Sequence, residues 1–404
     1  MLSVLKNAHF SRIFAAGLAS QLGSFITETA LMLYIFALSG QEKSILGISK
    51  GSFLIFLTLG SLLGGPLGVR FNRKKLLIFC EFARIPFVIG LFYFHQNIPF
   101  IIIANSLIAL FTGIFNPSRQ TLINEITTTK EIQSANSLFS TSLAFIHMAG
   151  PFLGAWLYTY FNGVNEILSF DLFTYFIGIY LISRIHYQIK SDSEEKESHF
   201  LKDLMDGFRY IKNRRDLNAM LVCVLLTGIC IGILIPLLLP FTKEYLNSDE
   251  KTYGIIMSAF GLGGIVGAPL YQRLALNIPS SKIIIIGFLM EPIIMILWTR
   301  TSLPLMSMFI IFIWGIFVFV RIPAQLTYFS KTVEVEYLSR VHSFLDMAFV
   351  IPNIFGSIVV SVIGNNLTAQ ETLAIVSIVF FVLMIPGIFF PGLQLLWKSN
   401  DKIS

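Results

Sequence analysis

The chain has 404 residues, of which 55% are hydrophobic and only 13% charged, and its net charge is +6. With a mean hydropathy of +0.75, it is excluded from the ordinary water-soluble domains. The positive charge calls for no nucleic-acid partner, because basic residues gathered at one membrane face account for it.

Apolar runs long enough to cross a bilayer cover residues 12–38, 46–69, 76–95, 99–122, 134–160 and 167–187. Six more cover 216–239, 253–274, 282–299, 305–328, 341–363 and 372–392. Backbone groups in lipid must bond internally, so each run is expected to be a helix, and the unbroken apolarity lacks a barrel's alternation. The first run is too long for a signal peptide and has no small-residue cleavage site. Most basic residues, including Lys6, Arg12, Arg70, Arg73, Lys74, Lys75, Lys190, Arg214, Arg215, Lys398 and Lys402, then fall on one side. Lys43, Lys50, Lys243, Lys251 and Arg300 fall on or near the other. This bias places both termini in the cytoplasm.

Between the sixth and seventh runs lies the longest polar interruption, which divides the chain into 1–187, 188–215 and 216–404. Its first part, SDSEEKES (191–198), is acidic and solvated. In its second part Phe200, Leu204, Phe208 and Ile211 recur at helical spacing. That spacing suits either a helix on the inner membrane surface or a plain linker helix.

The two halves repeat. GSLLGGPLGVR (60–70) returns as GGIVGAPLYQR (263–273), pairing Gly60 with Gly263, Gly64 with Gly267 and Arg70 with Arg273. In a second stretch Pro117 pairs with Pro323, Thr121 with Thr327, Ser137 with Ser343 and Gly150 with Gly356. The expected architecture is an all-α membrane protein of twelve transmembrane helices in two pseudo-symmetric six-helix bundles, as in many secondary transporters. Cys80, Cys223 and Cys230 sit inside runs and read as small hydrophobes. No metal-ligand spacing, HExxH, GxSxG or P-loop is present, so neither enzyme chemistry nor a cofactor is expected.

GPLGVRFNRK (65–74) resembles the loop signature of the major facilitator superfamily, G-x-L-x-D-R-x-G-R-K/R. Gly65, Leu67, Arg70, Arg73 and Lys74 fit, whereas Val69 replaces the Asp and Asn72 the second Gly. The resemblance implies a cytoplasmic charge latch resting on Arg70, with Glu125 as its partner. FNPSRQTLINEITTTKEIQSANSL (115–138), SFDLFTYFIG (169–178), DGFRYI (206–211) and LSRVHSF (338–344) resemble the macrolide-efflux branch of that superfamily, which includes drug:proton antiporters. AGPFLGAWL (149–157) is similar to the antiporter motif, in which Gly150, Pro151 and Gly154 allow close packing and a bend. The branch also holds siderophore exporters and lysophospholipid movers, and the superfamily implies a monomer.

In such a fold the first, fourth, seventh and tenth helices line the cavity. Glu28, near the middle of the first, is therefore the foremost protonatable candidate; a structural bond to Gln21, Thr27 or another helix is the alternative. Arg321 and Asp346 are expected to pair across adjacent helices, as a static brace or as a pair that breaks during transport. Arg119 either meets an anionic cargo group or snorkels to headgroups. Glu81 and Arg84 form an i, i+3 pair, and Asp171 and Glu291 lie on peripheral helices, so all four read as structural. His147 and His342 are further relay candidates. The resulting expectation is an inner-membrane exporter of an amphiphile such as a drug or siderophore, exchanged for a proton by alternating access. A lysophospholipid transporter of the same fold is the alternative.

Overall fold

The computed structural model describes the backbone of residues 2–185 and 200–389. The acidic stretch 191–198, Lys190, the tail residues Lys398 and Lys402, and the side chains of Val69 and Arg70 lie outside the described residues. A 3-10 turn (Leu2–Lys6) leads into α1 (Ala8–Leu38), α2 (Lys43–Arg70), α3 (Arg73–Phe94), α4 (Ile98–Ile126), α5 (Thr129–Phe161) and α6 (Asn165–Ser183). After α7 (Phe200–Asn213) come α8 (Arg215–Glu244), α9 (Glu250–Leu274), α10 (Ser280–Thr299), α11 (Pro304–Thr332), α12 (Val335–Ile363) and α13 (Ala369–Phe389).

Over its described residues, each apolar run corresponds to one long helix, some runs overshooting the helix end by a residue or two, and the helices begin a few residues earlier than the run. Polar caps explain the extension. Asn7 accepts hydrogen bonds from the His9 and Phe10 N–H groups, Asn72 from Lys75, Asn97 from Phe100 and Asp249 from Thr252. These bonds satisfy first-turn donors that would otherwise be orphaned. Among the described residues, ten helices are long and apolar enough to cross a membrane, and α13 adds an apolar segment over Ala369–Met384.

The chain divides into two compact units. Unit 1 comprises Met1–Asp192 with Tyr253–Ser258; unit 2 comprises Ser193–Thr252 and Ala259–Ser404.

The sequence repeat has a physical meaning in each unit. In unit 1, a methyl group on Gly60 would run into the Leu110 carbonyl, and one on Gly113 into the Leu57 carbonyl. On Gly64 it would stand 2.6 Å from Pro117 Cγ. In unit 2, Gly263 lies against the Phe312 carbonyl and Gly315 against that of Phe260, while a Cβ on Gly267 would be 2.7 Å from Ile316 O. Both seams are backbone-to-backbone helix crossings that only small residues permit. A second seam joins the first and fifth spanning helices of each unit. A Cβ on Gly150 of α5 would lie 2.8 Å from Phe25 Cβ, and one on Gly154 2.7 Å from Ile26 O, both on α1. Its counterpart Gly356 of α12 faces Gly232 and the Ile229 carbonyl of α8.

The helix ends repeat as well. Asn7, the cap of α1, donates from Nδ2 to Ile126 O at the end of α4, 2.9 Å away. Arg214, the cap of α8, donates from Nη1 to Thr332 O at the end of α11, 3.1 Å away.

The amphipathic α7 packs on α12 and α8. Ile211 is fully buried, Tyr210 stacks on Tyr337 at 4.8 Å, Phe208 meets Phe344 at 5.4 Å, and a Cβ on Gly207 would stand 2.6 Å from Arg340 O. Part of its apolar stripe is therefore spent on unit 2 rather than on lipid; the side chains of Phe200 and Leu204 lie outside the described residues.

Candidate functional site

Glu28 stands ten residues before the end of α1 and Lys50 seven residues into α2. At 1.5 Å per residue, both lie about 10–15 Å inward from the same end of the bundle. Lys50 Nζ donates to Glu28 Oε1 at 2.6 Å, with the two side chains 17% and 26% exposed. Neither Gln21 nor Thr27 is the partner. The partner comes from another helix, as the structural alternative allowed: α2 begins at Lys43 and carries Lys50 inward, so the carboxylate sits in a half-buried ion pair. The ammonium also lies over the Phe53 ring, 4.9 Å from its centroid. On the α5 side, His147 is exposed, packs edge-on against Phe25 at 4.6 Å, and lies within electrostatic reach of both Glu28 and Lys50. Ion pair, imidazole and aromatic rings thus form one partly open polar patch on unit 1.

Deeper in unit 1, Glu81 and Arg84 of α3 are buried together, with Nη1 and Oε2 3.2 Å apart. Ser20 of α1 donates to the same oxygen at 3.3 Å and accepts from Arg84 at 3.1 Å. The small face of Gly178 on α6 leaves room for Glu81. Asp171 of α6 accepts from the Tyr175 hydroxyl at 3.0 Å. Arg119 of α4 is buried, 6% exposed, and stacks over Phe139 at 4.9 Å and Phe115 at 5.7 Å. It does not reach solvent or headgroups, so the snorkelling alternative is set aside.

Unit 2 holds a related cluster. Arg321 donates from Nε to Glu291 Oε1 at 2.8 Å and from Nη1 to Gln325 at 2.7 Å, and it lies over Phe288 at 4.2 Å. Thr227 of α8 donates to the other Glu291 oxygen at 3.4 Å. Each unit thus sets a hydroxyl of its first spanning helix against a buried carboxylate of its third. The expected Arg321–Asp346 pair is thereby corrected. Arg321 is claimed by α10, which packs along α11, and nearness in sequence does not decide nearness in space. Asp346 is exposed on α12, with His342 one turn earlier as its electrostatic neighbour.

At the helix ends of unit 1, Arg73 opens α3 and pairs with Glu125 near the end of α4. Lys74 donates to Ser183 O and Ile185 O, both at 2.7 Å, and Arg12 to Arg184 O at 2.6 Å, so three cations cap the end of α6 and its neighbours. Glu125 therefore works through Arg73; its expected contact with Arg70 lies outside the described residues. Leu67 packs against the buried core of unit 1. Gly65 faces open space, and the close contact belongs to Gly64. Among the described residues no group of three His, Cys, Asp or Glu could hold a metal. Sequence reasoning missed the parts of Lys50 and Glu291, although Lys50's interruption of an apolar helix was a visible signal.

A family model described as a transmembrane secretion effector matches residues 1–400. The chain belongs to this family of major facilitator transporters. PmrA, a multi-drug resistance efflux pump of Streptococcus pneumoniae, is 22% identical over 356 residues, covering 85% of this chain and 88% of PmrA. BacE of Bacillus subtilis, provisionally named a bacilysin exporter, is 26% identical over 219 residues, which is 53% of this chain and 54% of BacE. The match thus spans about half of that relative's length. The solved structure of the nucleoside transporter NupG superposes with a TM-score of 0.72 at 14% identity, covering 96% of this chain and 99% of NupG. At that identity the likeness establishes the fold, which is that of the major facilitators. This transmembrane secretion effector is a multi-pass helical membrane protein, and members of its family move solutes rather than transform them.

Proposed function

We propose that this chain exports an amphiphilic small molecule, of a drug-like or siderophore-like kind, by alternating access coupled to protons across a bacterial cytoplasmic membrane, with both termini cytoplasmic. The observation that carries the proposal is the Glu28–Lys50 pair, set about 10–15 Å inside the spanning helices. Contacts that scaffold the fold occur in both units: the glycine seams, the end tethers and the hydroxyl–carboxylate bonds. Unit 2 also joins its first two spanning helices by an ion pair, Lys243 with Glu250, but that pair lies at the helix ends, in the last turn of α8 and the first of α9. A charged pair placed that far inside spanning helices is by default a functional element.

Protonation of Glu28 removes the counter-charge of Lys50 and frees α1 from α2 at that depth; loss of the proton restores the pair. His147, within electrostatic reach, feels either change. The efflux relative PmrA supports the direction of transport, and the partly buried rings of Phe25 and Phe53 in the patch suit an amphiphile. The test is uptake into inverted vesicles carrying an imposed proton gradient, with a macrolide, a siderophore and a fluorescent lysophospholipid as probes. Gradient-driven uptake of the macrolide or siderophore, abolished by an uncoupler, is the expected result. Movement of the lipid alone, indifferent to the uncoupler, would replace the proposal with a lipid transporter of the same fold.

A further inference from the structure

One face of α1 carries Gly17, Ser20, Ser24 and Thr27, three or four residues apart, and each meets the polar interior of unit 1. A Cβ on Gly17 would stand 3.0 Å from Arg119 Nη1, and one on Gly23 2.7 Å from Asp171 Oδ1. Ser20 bonds Glu81 and Arg84, Ser24 faces Tyr175, and Thr27 faces Asp171. Over about 15 Å of helix rise, the order is Arg119, then Glu81 with Arg84, then Asp171, and then Thr27, whose next residue is Glu28.

This line is short of hydrogen bonds. Arg119 Nε and Nη1, Arg84 Nε and Nη2, Glu81 Oε1, Asp171 Oδ1 and Thr27 Oγ1 are all buried without a partner. Elsewhere in proteins such atoms are nearly always paired, and a cluster of exceptions marks a site with work to do.

Asp171 is the least compensated member. It is 1% exposed; Oδ2 accepts from the neutral Tyr175 hydroxyl, and nearby stands only another neutral hydroxyl, that of Thr27, with Oδ1 meeting no well-aligned donor. The charged groups facing it are Glu81 and Arg84 of α3, and Arg84 is committed to Glu81. From α1 it meets only the Thr27 hydroxyl, and its own helix contributes Tyr175. An ionised carboxylate so placed lacks the cation that burial demands, and a proton is the simplest counter-charge. Among the described residues unit 2 shows no such arrangement: Gln325 takes the repeat position of Arg119, and α13 bears no carboxylate beyond Glu371 in its first turn.

We propose that Asp171 is a second, internal proton-binding site of unit 1, which exchanges its proton through the polar face of α1 towards Glu28. The proton leaves the carboxyl group as such and is accepted by the Glu28 carboxylate, so charge is conserved within the unit. Only the use made of this exchange rests on the proton-coupled reading above; the protonation itself does not.

The experiment is an infrared pH titration of the purified full-length chain in lipid nanodiscs, without cargo. The wild type is expected to show a protonated-carboxyl stretching band that shifts in deuterium oxide and disappears reversibly as the pH is raised. The band should be lost in Asp171→Asn and retained, at a changed frequency, in Asp171→Glu, which also covers the case of a poorly folded amide variant. A wild-type spectrum with no such band, or a band that never titrates or survives unchanged in Asp171→Asn, would overturn the proposal. Because no transport is measured, that failure leaves the exporter reading intact, and a failure of gradient-driven transport leaves the band unexplained but present.

Discussion

Arg321 of α11 places both Nε and Nη2 2.8 Å from Glu291 Oε1 of α10, so the buried ion pair of unit 2 spans two helices. In unit 1 the related carboxylate, Glu81, draws its cation from its own helix, where Arg84 stands three residues on. The repeat register shows how the two diverged: Arg321 corresponds to Phe115 and Gln325 to Arg119, so the cation of the fourth helix has moved by one turn.

Removing one partner of the interhelical pair strands a buried charge. Glu291→Gln should cost about 3–5 kcal/mol in stability, and combining it with Arg321→Met should recover much of that loss. Asp346→Asn, on an exposed side chain that Arg321 does not touch, should stay within about 0.5 kcal/mol of the wild type. Unfolding in detergent micelles measures all three.

The glycine seam makes a sharper comparison between neighbours. Gly64→Ala must displace Pro117 or the α4 backbone and should lower stability by roughly 1–3 kcal/mol. Gly65→Ala meets nothing and should be silent. Equal effects of the two substitutions on the melting temperature would contradict the assigned contact.

Where α3 begins and α4 ends, Arg73 and Glu125 should be coupled in a double-mutant cycle by about 0.5–3 kcal/mol. Reversing one charge should slow transport, and the double reversal, Arg73→Glu with Glu125→Arg, should recover part of the rate. Transport assays on the four proteins measure it.

Asp249, the cap of α9, provides a pH test outside the spanning helices. Burial pushes its carboxyl up, but the Thr252 N–H and hydroxyl, at 2.9 and 2.8 Å, outweigh that effect and hold it below the ordinary carboxylate range. A depressed carboxyl stabilises the fold fully above the range where an unfolded Asp titrates, and the stabilisation is lost as pH falls through the lowered value. Asp249→Ala should therefore cost about 1 kcal/mol at neutral pH, and the difference from wild type should vanish in acid.

The helices were legible because lipid leaves a chain no other way to satisfy its backbone, and the repeat because close helix crossings demand glycine at fixed places. Pairing was not legible. Sequence proximity pointed Arg321 to Asp346, but helix packing gave it to Glu291 on the preceding helix. Motif matching chose Gly65, yet the helix face that meets α4 carries Gly64. Lys50 read as a residue near the outer face because the polar start of α2 hides how far the helix extends. Glu28 and Arg119 were visible as misplaced charges, whereas the line that joins Arg119 to Asp171 needs four helices in place before it exists.

The most direct test of proton coupling at Glu28 separates coupling from cargo handling in one reconstituted system. Wild type and Glu28→Gln are compared for uphill cargo accumulation driven by a proton gradient and for cargo exchange without any gradient. Glu28→Gln is expected to keep exchange near the wild-type rate and to lose accumulation. Accumulation undiminished in Glu28→Gln would show that the Glu28–Lys50 pair carries no proton for transport.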